Sequence, residues 1–496
     1  MSQQIQVVEG MYGGWKKPSQ SGIAGLSMRA TLALGAAAVF LIILIGTAGL
    51  LTALEFGLPL ALVVGVISLK DQDGMSLAGK IGERIAFAQA KSSGATVYRA
   101  GPASKATGGR FRLPGLAAPL TVSEHTDHYR RDFALVWCPF QRTASVVLGC
   151  EPGGLDMADS DEVDAQVAGW AGALTQFGAD PDIAAVSVTV ETAPDPGRRL
   201  QEAMASSADP QAHPFARAVL DDTVAAQQGR SIQVSTFVTI TWSTAPLRRR
   251  ARDEAAMGEM VATRMPGLIR SLEVSGAGQV WPLSASQLAE VVRVAYDPAA
   301  AVLFDEARAQ GYEPPQTWDD AGPTVAVAEF AGYRHDSAWS KTWAMSRAPE
   351  GLVANTSLRA LMAPHRDITR KRVTIFFRPI DPGRAANLVD KDMKAAQAAQ
   401  RNKRGPEVRE SIAFAQARQT AAEQAAGAGL TQFGMLVTAT TDDLGAKDQI
   451  DAAVSTLGAS ARIRLRPMYG MQDAAFAACL PLGLMLERHQ VMPKGL

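Results

Sequence analysis

The sequence predicts an α+β protein: an N-terminal two-helix transmembrane hairpin followed by cytoplasmic ferredoxin-like βαβ repeats. Three observations predict it. From Ala30 to Leu69 only Glu55 is charged, and the run is about twice the roughly 20 residues that span a bilayer. Beyond a Gly/Ser/Lys-rich connector, apolar residues recur with a strand period in some segments and a helical period in others, to the end of the chain. The order of those segments is strand, helix, strand, repeated, which is the arithmetic of a ferredoxin-like sheet with helices on one face.

Taken in order, residues 1–29 form a cytoplasmic stub, 30–70 the two spans, 71–110 a connector, 111–312 a first α+β region and 313–496 a second. The spans are placed at Ala30–Ala48 and Thr52–Lys70, with Gly49 in the turn and Pro59 as a kink. A signal peptide is the rival reading, but the block is far longer than an h-region and no small-residue cleavage site ends it. Lys16, Lys17 and Arg29 flank one end, and Lys70, Lys80, Arg84 and Lys91 flank the other. Both ends then prefer the cytoplasm, which places the protein in the plasma membrane with two spans and its bulk cytoplasmic. Tyr12 and Trp15 are expected in the headgroup layer as amphipathic anchors, beside Lys16, Lys17 and Arg29.

In the soluble part, "DFALVWCPF" and "TASVVLGCEP" read as an antiparallel pair. "DSDEVDAQVAGWAGALTQFG" opens with acidic capping residues and continues at helical spacing, and "DIAAVSVTVETA" returns as a strand. "SIQVSTFVTITWS", "LRRRARDEAAMGEMVATRMPGLIRSL", "GAGQVWPLS" and "SASQLAEVVRVAY" give strand, helix, strand, helix. A hairpin follows in "VAVAEFAGYRHDSAWSKTWAMSRAP", then a short helix in "LRALMAP" and a strand in "ITRKRVTIFFRPI". The long charged helix 382–428 breaks near Gly405 and Pro406; its apolar stripe is thin, so it is expected to project or to pack on a partner. Strand "FGMLVTATT", a helix, strand "ARIRLRPMYG" and the apolar helix "MQDAAFAACLPLGL" close the chain.

Lys+Arg and Asp+Glu both number 49, so no global field steers the molecule toward nucleic acid or acidic lipid. The three cysteines, Cys138, Cys150 and Cys479, form no CxxC and read as reduced thiols of a cytosolic part. Gly74–Ile81, "GMSLAGKI", has phosphate-loop spacing, but Ile81 stands where a magnesium-binding hydroxyl is required, so the match reads as coincidence. "AVLFDEA" at 301–307 follows the helix-start signal Asp297-Pro298 and is read the same way. His125 and His128 in "SEHTDHY" have metal-clasping spacing on a helix, yet their context reads as a solvated loop. Basic clusters at Arg248–Arg252, Arg366–Arg372 and Arg401–Arg404 read as solvated faces. Tyr333, Trp339 and Trp343 form an aromatic run that is either a partner-binding hairpin or a strand pair facing a core. No catalytic, cofactor or metal site follows from these residues, and the chain reads as a non-enzyme.

Four blocks, "YGGWKKPSQSGIAGLS", "VVRVAYDPAA", "YRHDSAWSKTWAMS" and "YGMQDAAFAACLPLGL", resemble an actinobacterial integral-membrane family associated with type IV-like, conjugation-type secretion loci. The layout resembles a membrane-hairpin subunit joined to the non-catalytic N-terminal region of the conjugation ATPase, without its motor domain. The resemblance implies a non-catalytic membrane scaffold in an oligomeric assembly, docking a conjugation-type secretion ATPase and neighbouring a PrgI-like small membrane protein and the lipid bilayer. The alternatives are a nucleic-acid-handling conjugation factor, a partner class that overall neutrality disfavours, and a type VII secretion membrane component.

Overall fold

The computed structural model describes residues 75–101, 111–154, 158–194, 213–227, 232–244, 253–349, 353–401, 408–425 and 429–486, with isolated positions at 11–12, 15, 71, 209 and 427 and a scatter between 35 and 55. Its strands are β1 (Met11–Tyr12), β2 (Val97–Arg99), β3 (Thr121–Thr126), β4 (Asp132–Cys138), β5 (Thr143–Glu151), β6 (Ile183–Pro194), β7 (Ile232–Ser243), β8 (Gln279–Pro282), β9 (Val325–Ala328), β10 (Tyr333–His335), β11 (Ala338–Arg347), β12 (Val353–Ala354), β13 (Arg370–Pro379), β14 (Thr431–Thr441) and β15 (Arg464–Pro467). The described helices are α1 (Leu77–Ser92), α2 (Ser160–Ala179), α3 (Pro214–Gln227), α4 (Glu254–Leu272), α5 (Ala285–Tyr296), α6 (Ala300–Ala309), α7 (Arg359–Met362), α8 (Pro382–Arg401), α9 (Val408–Ala425), α10 (Lys447–Ser460) and α11 (Gln472–Cys479).

Thirteen strands form one sheet in the order β2-β9-β10-β11-β14-β13-β6-β7-β5-β4-β3, with β15 added to β11 and β8 to β5. Every pairing between these strands is antiparallel. This corrects the expectation of ferredoxin-like βαβ repeats behind a membrane hairpin. In a split βαβ unit the two strands joined by the helix run parallel with an antiparallel strand between them, so strand direction is not what differs; β6 pairs with β7 on one edge and with β13 on the other, which joins both stretches of chain into one continuous antiparallel sheet instead of separate repeats. The period of a strand fixes which residues share a face, but not which edge meets which.

Each element forms for local reasons. Ser284 caps α5 in a full capping box with Gln287, and Asp253 caps α4 by accepting from the Ala255 amide. Along α4, Met257, Val261, Met265, Leu268 and Leu272 return at helical spacing and are buried against β5, β6 and β7. One sheet face carries α2, α4 and α10; the other carries α5 and α11. Both faces are therefore dry over the sheet centre, where β5 is buried at every position but its last.

Among the described residues no helix is long and apolar enough to cross a membrane, so the transmembrane hairpin and the two-span plasma-membrane placement are corrected. Most of 30–70 lies outside the described residues, as do Lys16, Lys17 and Arg29. Where the N-terminal stub is described, it engages the folded body. Met11 and Tyr12 pair with Ala354 and Val353, and half-buried Trp15 meets the Phe433 ring edge-on at 6.3 Å.

The broken charged helix becomes the helical pair α8 and α9, which pack chiefly on each other. Pro379 is paired with Thr431, and the Ile380 amide donates to the Leu430 carbonyl at 2.8 Å. The chain thus leaves the sheet at the end of β13 and rejoins it at the adjacent end of β14, so the helical pair is an outgrowth of a β-hairpin tip.

Candidate functional site

Three of the sequence blocks that carry the family resemblance meet in one buried nucleus. Tyr296 ends α5, Tyr333 and His335 lie on β10, and Phe476 lies on α11. Tyr296 lies 5.0 Å from Phe476 and 6.0 Å from His335 between ring centroids, and His335 lies 4.8 Å from Phe476. The Arg372 guanidinium lies over the Phe476 ring, 5.8 Å from its centroid.

His335 is fully buried, and its hydrogen bonds fix its tautomer. Nδ1 lies 2.5 Å from the Tyr296 carbonyl oxygen, which only accepts, so Nδ1 carries the proton. Nε2, 2.7 Å from Ser340 Oγ, must then accept from the hydroxyl, and Ser340 Oγ in turn accepts from Thr440 at 2.6 Å. Burial pushes the imidazole down to about 4, against a smaller upward pull from the Tyr296 carbonyl, so the ring is neutral at pH 7. Burial also raises Tyr296, Tyr333 and Asp473.

Around this nucleus a polar lock joins α5 to the β10–β11 turn. Arg293 donates to the Gly322 carbonyl at 2.7 Å, pairs with Asp297 at 2.8 Å and reaches Asp336 at 3.1 Å. Asp336 accepts from the Thr324 and Val325 amides at 3.1 and 2.9 Å, while Ser337 donates to Asp297 at 2.6 Å. On α11, the Gln472 side chain accepts from the Thr342 amide at 2.8 Å and donates to its carbonyl at 3.2 Å.

The sheet face beneath α11 is lined by hydroxyls that satisfy one another: Ser145 with Thr241, Thr189 with Thr374, and Thr342 with Thr438. The C-terminal segment crosses this face so closely that a Cβ on Gly483 would lie 2.0 Å from Ser145 Oγ, and Gly483 has φ +68°. Beside it, Glu191 is bonded by Arg370 and by Arg372, whose Nε donates to Glu191 Oε2 at 2.7 Å. Burial alone would raise the Glu191 carboxyl, but the Arg372 and Arg370 guanidiniums hold it below the ordinary value.

Tyr333, Trp339 and Trp343 are only 2 %, 4 % and 4 % exposed, so all three face the interior. Trp339 donates from Nε1 to Glu329 at 3.2 Å under the Lys447 ammonium, and Trp343 packs in the core beneath α10 with Lys341 above its ring. Gly74–Ile81 forms no phosphate cradle in its described part: Ser76 caps α1 by accepting from the Gly79 amide, and Lys80 pairs with Asp71 at 2.5 Å. The 301–307 run lies in α6. His125 lies on β3 rather than in a loop; it stacks on Phe133 at 5.6 Å, and Gly258 of α4 lies against its ring. His128 is exposed after that strand. Arg370, Lys371 and Arg372 are buried, where a solvated face was expected; burial pushes Lys371 down to about 8. Of the other two basic clusters, positions 248–252 and 402–404 fall outside the described residues.

The residues that sequence reasoning missed are His335, Ser340 and Thr440, spread over β10, β11 and β14. No periodicity connects them, since the contact exists only once β14 has paired with β11. The Ser340–His335 pair has the spacing of a nucleophile and its base. Its third partner is a carbonyl oxygen instead of a carboxylate, and neither side chain is exposed, so the arrangement is built to hold three elements together. Among the described residues no group of three His, Cys, Asp or Glu side chains is placed to hold a metal. No protein-family model matches the chain, and no curated protein matches it.

Proposed function

We propose that the chain is a non-catalytic docking subunit of a type IV-like, conjugation-type secretion machine, and that the α8–α9 hairpin receives the machine's ATPase. The observation that carries this reading is the place of that hairpin at the tip of β13–β14. The sheet is hydrogen-bonded across the base of the outgrowth without needing it. The helices pack chiefly on each other and leave Arg384, Lys391, Lys394, Arg418 and Glu423 exposed. A charged helical pair held off a rigid sheet suits a partner of complementary charge pattern. The buried nucleus supports the same reading, because it fixes the platform from which the hairpin extends.

The test is affinity purification of the tagged full-length chain in mild detergent, with co-purifying proteins identified by mass spectrometry. A conjugation-type ATPase and a PrgI-like protein are expected with the intact chain. Replacing 381–429 by a short glycine linker should lose the ATPase while tryptophan emission stays native. Retention of the ATPase by the deleted chain, or ATP hydrolysis by the intact chain alone, would overturn the proposal.

A further inference from the structure

Between the end of the β6–β7 pair and helices α5 and α6 lies a cleft of about 100 Å³. Its floor is the sheet, where Glu191 stands opposite Ser235 in the β6–β7 register and Arg370 of β13 lies beside them. Its helical wall presents Glu290 of α5 and Asp305 of α6.

The floor carries an unbalanced charge. The β13–β6 pairing sets Arg372 directly opposite Glu191, and Arg370 bonds the same carboxylate from two residues away. Two guanidiniums thus share one carboxylate, and none of the three side chains is more than 10 % exposed. Buried charges are stable when paired, so the residual positive charge calls for an anion. The two arginines differ in what they have left to give. Arg372 engages Glu191 Oε2 through Nε and Nη2 and lies over the Phe476 ring. Arg370 donates from Nη1 to Glu191 Oε1, its Nε is buried with no partner, and its guanidinium forms no other hydrogen bond among the described residues. A guanidinium has five N–H donors, and Arg370 is the arginine of the pair that lines the cleft.

The helical wall has the opposite sign. Glu290 and Asp305 both pair with Arg308. Glu290 does so through Oε2, and its Oε1 accepts no hydrogen bond among the described residues. A simple carboxylate entering the cleft would meet Arg370 favourably and Glu290 unfavourably. A molecule with an ammonium at its other end meets both favourably.

We propose that this cleft binds a small α-amino acid, with its carboxylate on the Arg370 guanidinium and its ammonium on Glu290. The planar fork of an arginine matches a carboxylate, and Ser235, which accepts from the Gln233 amide at 3.3 Å, has its hydroxyl proton left to donate. Size restricts the choice of ligand. A single water needs about 10 to 15 Å³ of such space, so about 100 Å³ holds a few waters or one molecule of the size of alanine or serine. Val291, Val294 and Ala301 supply an apolar lining that suits a short side chain.

The test is isothermal titration of the full-length chain with alanine, serine, propionate and ethylamine, the last two being alanine without its ammonium and without its carboxylate. Alanine or serine should bind, and propionate and ethylamine should each bind at least about tenfold more weakly than alanine, since each forgoes one charge-assisted contact. Arg370→Lys keeps a cation beside Glu191 but loses the fork, and should weaken alanine binding roughly tenfold. Glu290→Gln should weaken alanine binding to a similar degree while propionate binds as well as before or better, a split that damage to the fold would not produce. Tryptophan emission checks that both variants are native. Failure of both amino acids to bind, propionate binding equal to that of alanine, or alanine binding unchanged in either native variant would overturn the proposal. No ATPase enters the assay, so its outcome is independent of capture by α8–α9.

Discussion

Acid sensitivity should centre on His335. Its imidazole is lowered to about 4 in the folded chain by burial, against an ordinary value of 6.5. A lowered value means that, between pH 6.5 and 4, the unfolded chain binds a proton that the native chain does not. The associated stability is fully present above pH 6.5 and is lost as pH falls toward 4. The difference of roughly 2.5 pH units, at about 1.36 kcal/mol each, amounts to about 3 kcal/mol. His335→Gln isolates this contribution, because a glutamine amide can donate to the Tyr296 carbonyl and accept from Ser340 without titrating. Arg372, Asp297, Asp473 and the two tyrosines around the site stay in both proteins, so their contributions cancel in the difference. Urea unfolding followed by tryptophan emission would be measured for both proteins at several pH values from about 7 to about 4. The gap between their stabilities should close, or reverse in favour of the variant, by about 3 kcal/mol across that window. Parallel curves would show that His335 gains its proton in the native state as readily as in the unfolded one, and would refute the buried neutral assignment.

Glu191→Gln removes the anion between two buried guanidiniums and should cost about 3 to 5 kcal/mol, measured by urea unfolding at neutral pH. Gly483→Ala forces a Cβ against Ser145 and Thr241 at a left-handed position, and should lower stability by roughly 1 to 3 kcal/mol in the same assay. Trp15→Ala and Phe433→Ala, combined in a double-mutant cycle, should show a coupling of about 0.5 to 1.5 kcal/mol. The single Trp15 variant should also be cut faster by protease near the stub, and unchanged cleavage would count against the docked position.

Most element assignments were legible because they rest on local pattern. The alternation in Ile232–Ser243, the helical stripe in Glu254–Leu272 and the Ser284–Gln287 capping signal all lie within a short window of chain. The strand order was not legible, since β6 is apolar enough on both faces to suit several neighbours. Trp15 shows a similar ambiguity. A tryptophan beside two lysines and an apolar run suits a membrane edge, but its ring is equally suited to a ring on a sheet, and Phe433 is more than four hundred residues away in sequence. Arg370, Lys371 and Arg372 misled for the opposite reason: charge composition suggests solvent, whereas the pairing of β13 with β6 sets Glu191 against both arginines.

The nucleus also explains why the closing block is so poor in bulky polar groups. Segment 472–486 crosses β11, β13 and β14 and then reaches β5 and β7, touching strands from both stretches of the sheet. Gln472 holds Thr342 of β11, the Cys479 carbonyl accepts from Thr374 of β13 at 2.9 Å, and the Gln141 side chain donates to the Met485 carbonyl at 3.1 Å. Side chains with no room to project must be small, which accounts for Ala477, Ala478, Cys479 and Gly483 along the path. The segment is therefore a strap across the sheet, tied to β11 through Gln472, to β13 through the Cys479 carbonyl and to the turn before β5 through Gln141, so it crosses the strand β13 from which the helical pair departs.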